Sequence, residues 1–275
     1  MKKILYIIII SVVAMFLVYL FFIPNVSGFK KKNPKRTSMM EYRIAQWKNA
    51  GKNAGKKKRA YQVWVPVSKI SPYLLKAVLI AEDDKFWSHE GFDYEAIQKA
   101  VEKNIKAGRF KAGGSTISQQ LAKNLYLTPE KSIIRKVREA IITWRLERAL
   151  SKRRILELYL NVVELGDGIF GAEAAARHYF GKSALELDPF EAARLASVLP
   201  NPIRYNPASD QRYVINRSNI IYNIMVRRGI VIPVYEEIQE EKSISENPPI
   251  ESQPETTEEA PVKPGETREE PVSQQ

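Results

Sequence analysis

Twenty residues set the surroundings of this chain before anything else can be read from it. Residues 4–23 run ILYIIIISVVAMFLVYLFFI, with Ser11 the single polar interruption. At about 1.5 Å per residue, a helix of that length spans about 30 Å, the thickness of a bilayer's hydrocarbon core. A stretch apolar on every face at the N-terminus reads as a membrane span rather than a buried core helix. A cleavable signal has a shorter apolar region and a small-residue cleavage site. Here the segment runs into Pro24-Asn25-Val26-Ser27 with no Ala-x-Ala pattern. The sequence therefore predicts an uncleaved signal anchor over 4–23, behind a cytoplasmic stub at 1–3. Lys2 and Lys3 precede the anchor; Lys30, Lys31, Lys32, Lys35, Arg36 and Arg43 follow it. A bare count of positive charge would keep the large domain inside the cell, but long domains translocate largely regardless of that count.

The formal net charge of +12 is unevenly spread. Residues 24–60 hold twelve basic groups against Glu41 alone, and residues 236–275 hold twelve Glu against Lys242, Lys263 and Arg268. The first stretch reads as a basic connector suited to anionic lipid head groups or to solvent. The second, rich in Glu, Pro, Ser and Thr, reads as an acidic disordered tail. A basic excess also suits nucleic acid, but the apolar segment argues for a membrane surface, and nucleic acid is not expected as a partner. With no cysteine, thiolate catalysis, disulfides and Cys-based metal sites are excluded. His89 and His178, the only histidines, leave little for metal ligation.

Between these segments, residues 61–235 read as mostly helical. Ser71-Pro72 starts a helix, and Asp93 caps another that ends at Gly108. Thr128-Pro129 opens a long helix to about Leu150, and Ser151 begins the next, to about Val163. Asp188-Pro189-Phe190-Glu191 has a capping Asp, Pro at N1 and Glu at N3, and a last helix ends near Gly229. Only residues 61–67 and a few near Val231 read as strand. Residues 103–115, glycine-rich and basic, suit a lid.

Three clusters carry chemistry. In the helix after Pro72, Leu75, Val78, Leu79 and Glu82 share one stripe, placing Glu82 on an apolar face at the helix C-terminus. Burial, the negative helix end, and the neighbours Asp83 and Asp84 all push its carboxyl upward, toward a general base working at neutral pH. Next, Gly113-Gly114-Ser115-Thr116 precedes an amphipathic helix, with Ser115 as its cap, and makes an anion-binding N-terminus to which Lys123 adds charge. Finally, Lys131, Arg135, Lys136 and Glu139 form a polar stripe in the long helix, read either as a functional site or as a solvated, salt-bridged face. Gly166-Asp167-Gly168-Ile169-Phe170-Gly171 matches G-x-G-x-x-G, yet no preceding strand or parallel series accompanies it, so it does not read as a dinucleotide site.

Taken together, the motifs resemble glycosyltransferase family 51, the peptidoglycan glycosyltransferases. Residues 82–91 match the family's E-D-x-x-F-x-x-H-x-G, and residues 114–124 match G-S-T-I-x-Q-Q-L-x-K-N. Residues 135–139 match R-K-x-x-E, residues 152–161 match K-x-x-I-L-E-x-Y-L-N, and Arg194 begins a looser fifth motif. The resemblance implies a mainly α, lysozyme-like glycosyltransferase domain with a mobile second lobe, joined to the membrane helix. It implies polymerisation of lipid II into glycan strands, with inversion and release of undecaprenyl pyrophosphate. By motif, Glu82 is the base for the acceptor's 4-hydroxyl, and Glu139 with Lys123, Lys131, Arg135 and Lys136 meets the departing pyrophosphate. Ser115, Thr116, Gln119, Gln120 and Asn124 line the groove, while Asp83, Phe86, His89, Gly91, Glu157, Asn161 and Arg194 shape the site. No tightly bound cofactor is implied, only a magnesium or manganese ion near Glu139 assisting departure. Membrane lipids and other cell-wall synthesis proteins are the implied partners, at the outer face of a bacterial cytoplasmic membrane. The class A relatives add a transpeptidase with S-x-x-K, S-D-N and K-T-G. Here the only S-x-x-K is Ser27-Gly28-Phe29-Lys30 and the other two motifs are missing, so the chain reads as monofunctional. Two rival readings remain at this point: a lysozyme-like or lytic enzyme that cleaves glycan with one carboxylic acid and no pyrophosphate pocket, and a non-enzymatic membrane scaffold.

Overall fold

Helix after helix begins on a short polar side chain that takes up a free backbone N–H. The structure, a computed structural model, describes residues 3–7, 10–11, 24–50, 59–108, 113–130 and 132–232. Helix α1 spans Ser38–Asn49 behind Thr37, and α2 spans Pro72–Glu82 behind Ser71. Asp93 caps α3, Tyr94–Ala107, which ends on the left-handed Gly108 as expected. Helix α4 is Ile117–Tyr126, α5 is Ile133–Ala149 and α6 is Lys152–Val162. Helix α7 covers Ala172–Phe180, α8 covers Pro189–Ser197 behind the Asp188–Glu191 capping box, and α9 covers Arg212–Arg227.

The core forms around α4 and α6. On α4, Ile117, Leu121 and Ala122 are fully buried; on α6, Ile155, Leu158, Tyr159 and Val162 form a second fully buried stripe. Helix α4 packs against α1, α5 and α6, while α2 lies against α8 and α9. Small residues let α7 approach closely, with Ala172, Ala174, Ala175 and Ala176 all at zero exposure. The described part is mainly helical.

Several boundaries differ from the sequence reading. The α4 cap is Thr116, not Ser115: Thr116 Oγ1 accepts from Gln119 N at 3.2 Å, and Gln119 Oε1 accepts from Thr116 N at 3.0 Å. Helix α5 starts at Ile133 behind Ser132, not at Thr128-Pro129, because the chain leaves α4 extended at Leu127, whose side chain is buried. The strand expected over 61–67 shrinks to β1, Tyr61–Gln62. Beyond it the backbone bonds to side chains: Val65 N donates to Asn161 Oδ1 and Val67 N to Glu157 Oε2, both at 2.9 Å. No strand forms at Val231. Within the stretch read as a connector, α1 docks on the domain, and Arg43 holds Glu164 through two bonds of 3.0 and 2.8 Å.

The G-x-G-x-x-G segment is a hairpin. Strands β2, Glu164–Gly166, and β3, Ile169–Phe170, pair antiparallel, and β1 adds parallel to β3 in the order β1-β3-β2. Gly168 serves the turn, and Gly171 caps the helix that follows. Gly168 has φ +80° with Trp47 2.6 Å from where a Cβ would sit, and Gly171 has φ +85° with Asn161 O at 2.6 Å from the same point.

Most of the expected membrane span, residues 8–9 and 12–23, lies outside the described residues, as does the acidic tail. Among the described residues no helix is long and apolar enough to cross a membrane. Of the expected lid, residues 109–112 are likewise outside; residues 103–107 complete α3.

Candidate active site

Glu82 is the last residue of α2, with only 13% of its side chain exposed. Its Oε2 accepts from Gln120 Nε2 of α4 at 2.8 Å, and its Oε1 lies 3.5 Å from Arg217 Nη2 of α9. Burial is the largest influence on this carboxyl and raises it above the ordinary value, with Asp83 adding in the same direction. The Gln120 hydrogen bond and the charges of Arg217 and Lys123 pull it back. Asp84, counted in the sequence reading as a further repulsive charge, is instead paired with Arg228, which lowers its own carboxyl.

Asp83 does a different job from its neighbour. Only 2% of its side chain is exposed, and its Oδ2 accepts from Ile117 N, the first residue of α4, at 2.8 Å. His89 Nε2 lies 2.9 and 3.1 Å from the two carboxylate oxygens, while His89 Nδ1 accepts from Gly91 N at 3.0 Å. An imidazole that accepts at Nδ1 is neutral and donates from Nε2, so this pair of contacts fixes the tautomer. Gly91 O in turn accepts from Thr116 Oγ1 at 2.7 Å. The fully buried Phe86 packs edge-on to His89 and carries Lys152 Nζ over its ring at 4.6 Å. The first motif is thus a loop locked to the N-terminus of α4, and the lock sets where Glu82 stands.

Helix α4 presents Gln120 and Lys123 to the site. Thr116 and Gln119 are tied into their capping box, Thr116 still lining the cavity beside Glu82, and Gln119 and Asn124 are buried. Ser115 is exposed and lines a cavity of about 260 Å³ beside Glu82, with Asp84, Asp93, Glu95 and Gly114 on its walls. Gly114 is required by proximity: a Cβ there would lie 2.9 Å from Ile97 Cα and 3.1 Å from Ala96 O. Lys123 lies within electrostatic reach of both Glu82 and Glu139, and burial lowers its ammonium below the ordinary value.

Glu139 is 3% exposed on α5. Arg135 Nη1 donates to its Oε2 at 2.7 Å and Lys136 Nζ to its Oε1. The stripe is salt-bridged around a buried carboxylate, with Lys136 still half exposed. Lys131 lies outside the described residues. Arg135 Nε and Arg217 Nε are buried with no hydrogen-bond partner among the described residues. Each glutamate thus has beside it a guanidinium whose Nε is unpartnered among the described residues.

Both Glu139 oxygens face cations, and among the described residues no group of three or more acidic or histidine side chains is placed to hold a metal. A divalent ion there would rest on one carboxylate together with the substrate's phosphate oxygens.

Three expected site-shaping residues act at a distance from the glutamates. Glu157 and Asn161 hold the 62–67 segment, with Asn161 Nδ2 donating to Val65 O at 2.9 Å and Gln62 Nε2 to Asn161 O at 2.6 Å. Arg194 grips the 207–209 turn through Pro207 O at 2.6 Å and Ser209 O. Arg217 was missed by the sequence reading: it is one of 43 basic residues, and only the packing of α9 on α2 brings it to Glu82.

Comparison with known proteins fits this geometry. A family model described as transglycosylase matches residues 49–226. A biosynthetic peptidoglycan transglycosylase of Dechloromonas aromatica (strain RCB) is 59% identical over 174 residues, 63% of this chain and 74% of that protein. Proteins of the same name from Azoarcus sp. (strain BH72) and Aromatoleum aromaticum are 51% identical over 196 residues and 49% over 220. The first alignment covers 71% of this chain and 83% of the relative, the second 78% and 94%.

Proposed function

Since the chain belongs to the transglycosylase family and is a peptidoglycan glycosyltransferase of cell-wall synthesis, we propose that it polymerises lipid II, with Glu82 as the base and the Glu139 group as the receiver of the pyrophosphate. One observation carries the assignment: two buried glutamates in different settings, with Lys123 in reach of both. Glu82, desolvated but held ionisable by Gln120, Arg217 and Lys123, suits proton uptake. The acceptor's 4-hydroxyl gives its proton to Glu82 as its oxygen forms a bond to the donor's anomeric carbon. The bond from that carbon to the pyrophosphate oxygen breaks on the opposite side, giving inversion. The leaving group carries away that electron pair and meets Arg135, Lys136 and Lys123. Charge placed in advance where charge develops needs no reorganisation during the reaction. Glu139 keeps Arg135 and Lys136 in place and separated while no substrate is bound.

The lysozyme-like arrangement, the anchor at 4–23 and the placement of the domain outside the cytoplasmic membrane belong to the same proposal. The apolar run supports the anchor, and the extracytoplasmic site of glycan polymerisation supports the orientation. A lytic enzyme needs a protonated acid on polymer and gains nothing from three cations around a second glutamate. Labelled lipid II incubated with the full chain separates the readings: elongated strands with release of the lipid pyrophosphate support polymerisation, and shortening of preformed strands without elongation refutes it.

A further inference from the structure

Tyr159 occupies the fully buried stripe of α6 together with Ile155, Leu158 and Val162. An apolar stripe accepts the ring, but a phenol at zero exposure needs a hydrogen-bond partner. It has one: Tyr159 Oη donates to Gln120 Oε1 at 2.9 Å, and the same amide's Nε2 donates to Glu82 Oε2 at 2.8 Å. Three residues from three helices thus form one line, from the core of α6 through α4 to the end of α2.

The direction of this line follows from what each group can do. An ionised carboxylate only accepts, so the amide nitrogen must face Glu82 and the amide oxygen must face away. Facing away means facing Tyr159. Burial holds that phenol far above its ordinary value, helped by the negative charges of Glu82 and Asp83, so it is a neutral O–H able to donate. Donation to the amide oxygen polarises the amide and strengthens its N–H as a donor to Glu82. With the hydroxyl gone, the amide oxygen loses this core donor and the amide is free to turn its oxygen toward Glu82.

We propose that Tyr159 is a positioning residue for the reaction: by holding the Gln120 amide in one orientation it keeps Glu82 in the ionised, proton-accepting form. The inference rests on the reading of Glu82 as the base. The other groups that act on Glu82 are Arg217 and Tyr213 from α9, Lys123 from α4 and the adjacent Asp83. The hydrogen-bond partner of the Tyr159 hydroxyl is Gln120.

The test is the pH dependence of kcat/KM for lipid II polymerisation by the full chain, comparing wild type with Tyr159→Phe, Gln120→Met, the double variant and Glu82→Gln. A base acts when ionised, so activity falls as pH drops through its pKa. Removing a hydrogen bond that favours the ionised form moves this acid limb to higher pH. A hydrogen bond to a charged group corresponds to a shift of about one pH unit. Tyr159→Phe and Gln120→Met are each expected to move the limb up by about that amount, and the double variant no further than Gln120→Met alone. An acid limb for Tyr159→Phe that coincides with wild type overturns the proposal, as does an equal extra shift in the Gln120→Met background. Should the phenylalanine variant fail to fold, 3-fluorotyrosine introduced at position 159 keeps the hydroxyl as a stronger donor. It is expected to move the limb down, and an unmoved limb overturns the proposal. Activity remaining in Glu82→Gln refutes the base assignment itself, separately from the role of Tyr159.

Discussion

Replacing Asp83 by alanine is expected to loosen the whole site while touching none of the reacting groups. Its carboxylate is 2% exposed and is bonded on one side to His89 Nε2 and on the other to Ile117 N at the start of α4. Removal leaves two buried donors without an acceptor and takes a negative charge away from a helix N-terminus. Each buried donor left unsatisfied costs about 1–3 kcal/mol, about 2–6 kcal/mol for the two. For a domain of this size each kcal/mol lowers Tm by about 2–4 °C, giving a fall of roughly 4–24 °C. Asp83→Asn should lie between. Its amide oxygen can accept from Ile117 N, but its NH2 then meets the Nε2–H of His89, donor against donor. His89 can relieve that only by changing tautomer, which gives up the bond from Gly91 N. Thermal unfolding of the detergent-solubilised chain, followed by tryptophan fluorescence, checks the order wild type, Asp83→Asn, Asp83→Ala. An alanine variant melting within about 2 °C of wild type would refute the reasoning, because that corresponds to a cost of only about 1 kcal/mol or less.

Gly114→Ala forces a Cβ to 2.9 Å from the α3 backbone; a loss of about 1–3 kcal/mol is expected in chemical denaturation, with no change in m-value. Glu82→Gln is expected to raise the melting temperature at neutral pH. The native carboxyl is raised, so the folded state binds more protons in the window from the ordinary value of 4.5 up to the native one, and wild-type stability falls as pH rises through that window. The gap between the two proteins should close toward acid pH, and a gap that widens there contradicts the assignment. Arg154→Ala is expected to free the segment before α1. Its guanidinium holds Phe29 O at 2.8 Å, Lys32 O at 3.0 Å and Asn33 Oδ1 at 2.7 Å. Faster hydrogen exchange and tryptic cleavage at Lys30–Lys32 in the variant would show it.

Elements that depend on local chemistry could be read from the chain. Ser71, Asp93, Ser151 and Asp188 each start a helix because one side chain meets an N–H two or three residues on. Thr116 could have been read as well, since Gln119 at N3 completes a capping box with Thr116 and not with Ser115. What local chemistry does not set was harder to see. The 61–67 run alternates like a strand, yet Asn161 and Glu157, almost a hundred residues away in sequence, take its backbone bonds. Helix α1 was hidden by the surrounding lysines, its apolar side marked only by Met40, Ile44 and Trp47. In the site, Glu82 was legible from its place on an apolar stripe. The split between Glu82 as a site group and Asp83 as an anchor was not, because both are acidic neighbours and only the fold separates their partners. Arg217 and Tyr159 reach Glu82 solely through the packing of α9 and α6.

The central claim is tested most directly by the rate of lipid II polymerisation in Glu82→Gln, measured on the same preparation whose melting curve shows it folded. General-base catalysis contributes about 10²–10⁴-fold, so the variant should form glycan strands at least about a hundredfold more slowly than wild type. A folded Glu82→Gln protein that polymerises within about tenfold of the wild-type rate would contradict Glu82 as the base, since a tenfold loss is only about 1.4 kcal/mol of barrier.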